Sequence, residues 1–313
     1  MAEVRSGELL FVKSVKDGIP NRDPLNDSDA RRLFDEEDGR ISLSDVSIKR
    51  DVRDYVLARY PDGGDGTKHV YVREARSAEG NLLGRRALAE QVLGISPDKA
   101  REELPRKAFD VRAFGVVYSV SKVSFHLTGP VQFGWAHSLH PVESRYVQGT
   151  VVMAAEDDRA KGQGTIWTTY IVPFAVFAMH GIINAALAKE TGLTPDDVDL
   201  VLEGLWKGTR FRQARGRGIQ EPLFLLHVEY NDPFFRIGDL DRLVHLEPGR
   251  EAWLKPGKPS SVAEVALDVQ ALGQQLLQFQ DRVARVRYWL NPAFRLEGDA
   301  GLRELGGEPQ PAM

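Results

Sequence analysis

The 313-residue chain contains no cysteine, which excludes disulfides, thiolate metal sites and a cysteine nucleophile. It also lacks a long apolar run. The longest, residues 171–183, is interrupted by Pro173, His180 and Gly181 and falls short of the ~20 residues that span a bilayer. No basic segment followed by an apolar stretch opens the chain, so no secretory signal is expected and the expected location is cytoplasmic. Neither sign of charge dominates: 41 Lys and Arg stand against 45 Asp and Glu, and the sequence pI is near 6.0. Any nucleic-acid surface must therefore be a local patch.

Catalytic signatures are missing too. There is no H-E-x-x-H, no G-x-S-x-G and no Walker A. Among the histidines only His126, His137 and His140 cluster, without a recognised ligand spacing. The acidic segment 17–38 lacks the alternation and central glycine of a calcium loop and reads as solvated acids. Nothing assembles a nucleophile, a base and an oxyanion site, so the sequence points to binding.

What is present begins with residues 8–15, a short apolar strand, and a long loop over 18–40. Residues 43–60 follow as an amphipathic helix. At about 3.6 residues per turn, Ile48, Val52, Tyr55 and Val56 share one face, and Lys49, Arg50 and Arg53 share the adjoining arc. Ser44 is the expected N-cap, and Asp45 suits the first turn. Pro61 and Gly63, Gly64 and Gly66 stop the helix.

Residues 69–73 read as a strand, 81–93 and 97–104 as helices, and 109–124 as β-rich. Residues 147–153 and 165–172 flank a polar tip and predict a long hairpin. Residues 173–189 are expected to be a helix, with His180 a partly buried structural histidine. Thr194-Pro195 opens the next helix, which ends at Gly208. Residues 209–218 pack four arginines among glycines; they are either a phosphate-binding edge or a solvated loop. A strand over 221–230, a helix over 261–287 and a disordered tail over 296–313 complete the chain.

Several motifs are collinear over about residues 8–230. They are Ile19-Pro20-Asn21-Arg22-Asp23-Pro24, Ser44-Asp45-Val46-Ser47-Ile48-Lys49-Arg50-Asp51-Val52-Arg53-Asp54-Tyr55, the run Asp110 to Gly115, and Gly129-Pro130-Val131-Gln132-Phe133. Ser138 to Pro141, Val172-Pro173-Phe174, His180-Gly181 and Ala188 to Thr194 follow. In these the chain resembles the repeated backbone subunit of CRISPR type I Cascade complexes, of the RAMP superfamily, in the subgroup of types I-B and I-C. The Ser44–Tyr55 pattern leans to I-B. Ile19 and Arg22 stand where that family usually has Asn and Gly.

The resemblance implies an α+β fold: one elaborated RNA-recognition-motif-like (ferredoxin-like) domain over 1–295. It would carry a helical insertion at about 70–107 and a thumb hairpin at about 142–172. It implies a non-catalytic subunit that binds CRISPR RNA and meets target DNA through the guide. Copies of the chain would stack in a helical filament beside other Cascade subunits, with no cofactor and no metal. The implied RNA contacts are Asn21, Arg22, Ser44, Ser47, Lys49, Arg50, Arg53, Gln132, Phe133, Trp135, Arg215 and Arg217. Phe133 and Trp135 are equally readable as core aromatics. Two alternatives stand beside this reading: a metal-dependent ribonuclease using Asp23 and Asp27, and a generic RNA-binding protein.

Overall fold

The computed structural model describes residues 3–26, 28–151, 166–307 and 309–310. Its centre is β1 (Gly7–Lys16), in which only the last residue is exposed. Successive strand side chains point to opposite faces. Leu9, Phe11 and Val15 accordingly enter one hydrophobic cluster, and Leu10 and Val12 enter a second across the sheet. Leu9–Val12 supply the apolar centre of this strand, and the buried Glu8 and Lys13 beside it are each hydrogen-bonded.

The short β2 (Ser42–Leu43) leads into α1 (Asp45–Arg59), where Ser44 caps the helix by accepting from the Ser47 amide. Next come α2 (Arg85–Ala87), α3 (Ala100–Lys107) and α4 (Phe109–Phe114). The hairpin β3 (Gly115–Val120) and β4 (Val123–Thr128) packs with this helical segment in a third cluster around Tyr118, Phe125 and Leu104. Strands β5 (Val131–Phe133) and β6 (Ala136–Ser138) return to the main sheet. The strands β7 (Arg145–Thr150) and β8 (Ile166–Ile171) form a separate antiparallel pair. The tip predicted between them, residues 154–164, lies outside the described residues.

The long β9 (Phe174–Ile183) pairs with β1 over ten positions. Helices α5 (Ala185–Thr191) and α6 (Pro195–Phe211) precede β10 (Ile219–Tyr230), which flanks β1 on its other side. The C-terminal elements are β11 (His245–Glu247), α7 (Arg250–Trp253), β12 (Ala266–Asp268), α8 (Gln270–Gln278), β13 (Val283–Leu290), β14 (Arg295–Glu297) and α9 (Ala300–Glu304). The main sheet runs β13-β10-β1-β9-β6-β2, with β5 also on β9. Every pairing in it is antiparallel. The chain is thus a mixed α+β structure. Helices α1 and α6 cover one face of the sheet, and the C-terminal elements cover the other.

Five expectations change. Residues 173–189 are not one helix but β9 followed by α5. A short, wholly apolar run does not discriminate a buried strand from a buried helix, and the ladder to β1 decides it. Residues 261–287 are β12, α8 and part of β13; Val265, Leu267 and Val269 already alternate with the period of a strand. Residues 109–114 are helical despite their β-formers, because Asp110 and Arg112 are fixed by buried ion pairs. Residues 69–73 make only an isolated bridge, His69 to Ala108. The expected tail also begins with structure: α9 buries Leu302 completely.

Candidate nucleic-acid interface

The N-terminal end of α1 opens into a groove of about 790 Å³. Its walls come from the 18–31 loop, the first turns of α1, Trp135 and the arginine-rich segment before β10. Asn21, Arg22, Ser44, Ser47, Arg50, Arg53, Trp135 and Arg217 all line it. The first amides of a helix lack intrahelical partners and carry the positive end of its dipole. Asn21 Oδ1 accepts from the Ser44 amide at 2.9 Å, which holds the loop against this helix start.

The loop and the arginine segment cross where Gly18 meets Gly218 backbone to backbone, too close for a Cβ on either. Gly218 has φ +71°, a conformation that glycine adopts without strain. Arg22 ties three segments together, donating to the carbonyls of Ser28, Tyr170 and Gly216 at 2.8, 3.1 and 3.0 Å. Arg217 donates to the Pro20 carbonyl and, at 3.2 Å, to Asp51.

Asp51, almost wholly buried on α1, is the hub beneath the groove. It accepts from Lys13 Nζ at 2.9 Å, Arg212 Nη1 at 3.0 Å and Arg217 Nη2 at 3.2 Å. The close packing behind it rests on Gly208 of α6, where a Cβ would strike the Asp51 carbonyl. Burial pulls the Lys13 ammonium below the ordinary lysine range, against the attraction of Asp51. Arg212 also pairs with Asp54 at 3.3 Å, so Asp51 and Asp54 face Lys13, Arg50, Arg212 and Arg217, and the positive balance suits an anion in the groove above.

The three basic residues of α1 have different surroundings. Arg50 is the most exposed and pairs with Asp54 at 2.6 Å. Arg53 is nearly buried and donates to Asp110 at 2.9 Å; the same carboxylate accepts from the Tyr71 and Val72 amides. Lys49 bridges Asp45 and Gln132 at 3.0 Å each, and Gln132 in turn donates to the Gly129 carbonyl. Phe133 is buried, tilted against Phe114 at 6.1 Å and close over Gly181. Lys49, Gln132 and Phe133 thus stand outside the groove; Gln132 and Phe133 border a second, shallower cavity along β9. Trp135 is half-buried, with the Arg31 guanidinium 6.0 Å from its ring centre. Arg215 lies over Trp167 of β8 at 3.9 Å, outside the groove walls.

Sequence reasoning passed over Arg31 and Arg212, which line the groove. Arg212 belongs to the arginine-rich run and was findable there; Arg31 sits among acids in a loop with no periodic signal. Asp23 makes an Asx turn with the Leu25 amide at 3.0 Å, and Asp27 lies outside the described residues. Among the described residues no helix is long and apolar enough to cross a membrane.

Comparisons with known proteins agree with one another. A curated relative, CRISPR-associated protein Cas7 of Haloferax volcanii, is 28% identical over 310 residues, covering 90% of this chain and 86% of its own. A chain of a CRISPR RNA-guided surveillance complex in its pre-nicking state superposes with TM-score 0.55 at 14% identity, covering 96% of this chain and 98% of that one. A chain of another CRISPR RNA-guided surveillance complex gives TM-score 0.53 at 13% identity, with the same coverage. These two likenesses are of fold. The model of the family described as CRISPR-associated protein Cas7 matches residues 5–270, and the chain belongs to that family.

Proposed function

We propose that the chain is a non-catalytic backbone subunit of a type I Cascade effector of subtype I-B or I-C, the form of its α1 motif leaning to I-B. It binds CRISPR RNA in the groove at the start of α1 and polymerises along the guide with copies of itself and other subunits. The guide is thereby presented for pairing with target DNA. In this reading the main sheet is an RNA-recognition-motif-like core, and β7 and β8 are the base of a thumb. Recognition goes through the sugar-phosphate backbone, and sequence is delegated to base pairing. A chain of this kind works in the cytoplasm.

The observation that carries this proposal is the convergence of Arg22, Arg31, Arg50, Arg212 and Arg217 with the α1 N-terminus on one groove, in a chain whose net charge is only -4. Arg50, Ser44, Asn21 and the half-buried Trp135 are placed to meet RNA from the walls. Arg53 lines the groove while paired with Asp110, Lys49, Gln132 and Phe133 lie outside it, and Arg215 faces the thumb base.

The test is purification of the untagged chain from cells that express its guide. We expect a discrete RNA of ~40–60 nucleotides, as the family resemblance implies, part of which serves as the pairing guide. The Arg50→Ala variant should bind every guide sequence more weakly and with a shallower salt dependence. RNA of random length, or a loss confined to some sequences, overturns the proposal.

A further inference from the structure

We propose that His180, Asp239 and Asp241 form a binding site for one divalent cation of the manganese or zinc class, separate from the groove and independent of the RNA reading. One ligand atom from each of the three side chains lies within 4.8 Å of those of the other two, a separation that a single ion can close. His180 projects from β9. The two aspartates come from the segment between β10 and β11, on either side of Leu240.

The stronger observation is what stands behind them. His180 Nε2 is 2.8 Å from Oε1 of Glu8, which is completely buried on β1. Glu8 also accepts from the Tyr230 hydroxyl and from the amides of Ile237 and Gly238 at 2.7 and 2.8 Å. In the tautomer with the hydrogen on Nε2, the ring donates to Glu8 and leaves the Nδ1 lone pair for an ion. A carboxylate orienting one ring nitrogen so that the other can ligate is the usual support of a metal-bound histidine. The same carboxylate fixes residues 237 and 238, directly before Asp239. Glu8 therefore aligns both strands of the site.

One imidazole and two carboxylates suit manganese or zinc, with water completing the shell. The site stands at the mouth of a cavity of about 870 Å³, so an ion can enter. Arg242 is the nearest competitor, 3.9 Å from Asp239 and largely exposed, so its side chain is free to turn away. The rival arrangement is a doubly protonated His180 held by carboxylates without a metal.

The experiment uses the full chain stripped with EDTA and titrated calorimetrically with Mn²⁺ or Zn²⁺ alone. We expect one equivalent of metal and a rise in Tm on loading. His180→Gln, and the double variant Asp239→Asn with Asp241→Asn, should each lower affinity at least about tenfold, and the double aspartate variant should leave the metal-free Tm unchanged. The two aspartates make no backbone-supporting contact with the core, so their variant decides the matter even if His180→Gln does not fold. Absence of binding, or undiminished affinity in the double aspartate variant, overturns the site.

Discussion

At the scale of single residues, the groove is built by buried ion pairs whose members look like surface charges in the sequence. Asp110 is fully buried and serves Arg53 and two backbone amides at once. Removing one partner strands the other charge in a medium that solvates it poorly. Asp110→Ala should therefore cost about 3–5 kcal/mol, read from urea unfolding; a loss under 1 kcal/mol would show that Arg53 finds water instead. Asp51 offers a test whose sign discriminates. On charge alone, Asp51→Asn makes the groove more positive and should tighten RNA binding. If Asp51 works by holding Arg212 and Arg217 in place, binding weakens and its salt dependence flattens, because fewer phosphates are neutralised. We expect weakening, measured as affinity against salt concentration.

At the scale of elements, the segment 139–142 anchors the start of β9 through His140. This histidine accepts from the Val176 amide, is bonded to the Pro141 carbonyl, and stacks on Trp253 at 3.4 Å. Burial pushes its pKa down to about 4; the Pro141 carbonyl opposes the shift and Lys258 adds to it. The folded state thus keeps His140 neutral while the unfolded chain takes up a proton near pH 6.5. Between those values the unfolded state binds more protons, so stability is full above pH 6.5 and falls as the pH drops towards 4. The loss is of the order of 3 kcal/mol. His140→Gln should flatten that part of the stability profile, seen by comparing urea midpoints at pH 7 and pH 4.5. An unchanged slope means that His140 is solvated. The elements misread from sequence share one cause. β9 and β12 are strands because of ladders to β1 and to β11 and β14, and a local pattern does not display such partners. By contrast α1 and α6 were legible at their N-caps: Ser44 accepts from Ser47, and Thr194 forms a reciprocal capping box with Asp197, although α6 runs on past the expected stop at Gly208 to Phe211.

At the scale of the whole molecule, β1 is covered on both edges by β9 and β10 and on both faces by hydrophobic clusters. The segment carrying α2, α3, β3 and β4 has its own smaller cluster. Opening free energy follows such packing. Amides of β1 should be among the last to exchange with deuterium, and those of residues 85–107 and 115–128 should exchange well before them. Equal protection throughout would mean that the two parts unfold as one unit.

The family, the α1 helix with its N-cap, the β7–β8 pair and several residues of the groove, among them Asn21, Ser44, Arg50 and Arg217, were readable from local spacing and collinear motifs. These depend on neighbours in the chain, which a sequence displays. The partners were not readable. That Lys49 spends its charge on Asp45 and Gln132, that Arg53 belongs to Asp110, and that Asp51 gathers Lys13, Arg212 and Arg217 are consequences of contacts spanning from 4 to 166 positions. Charge in a sequence is only a valence. Whether it faces a phosphate or a buried carboxylate is decided by which strands and helices close over it.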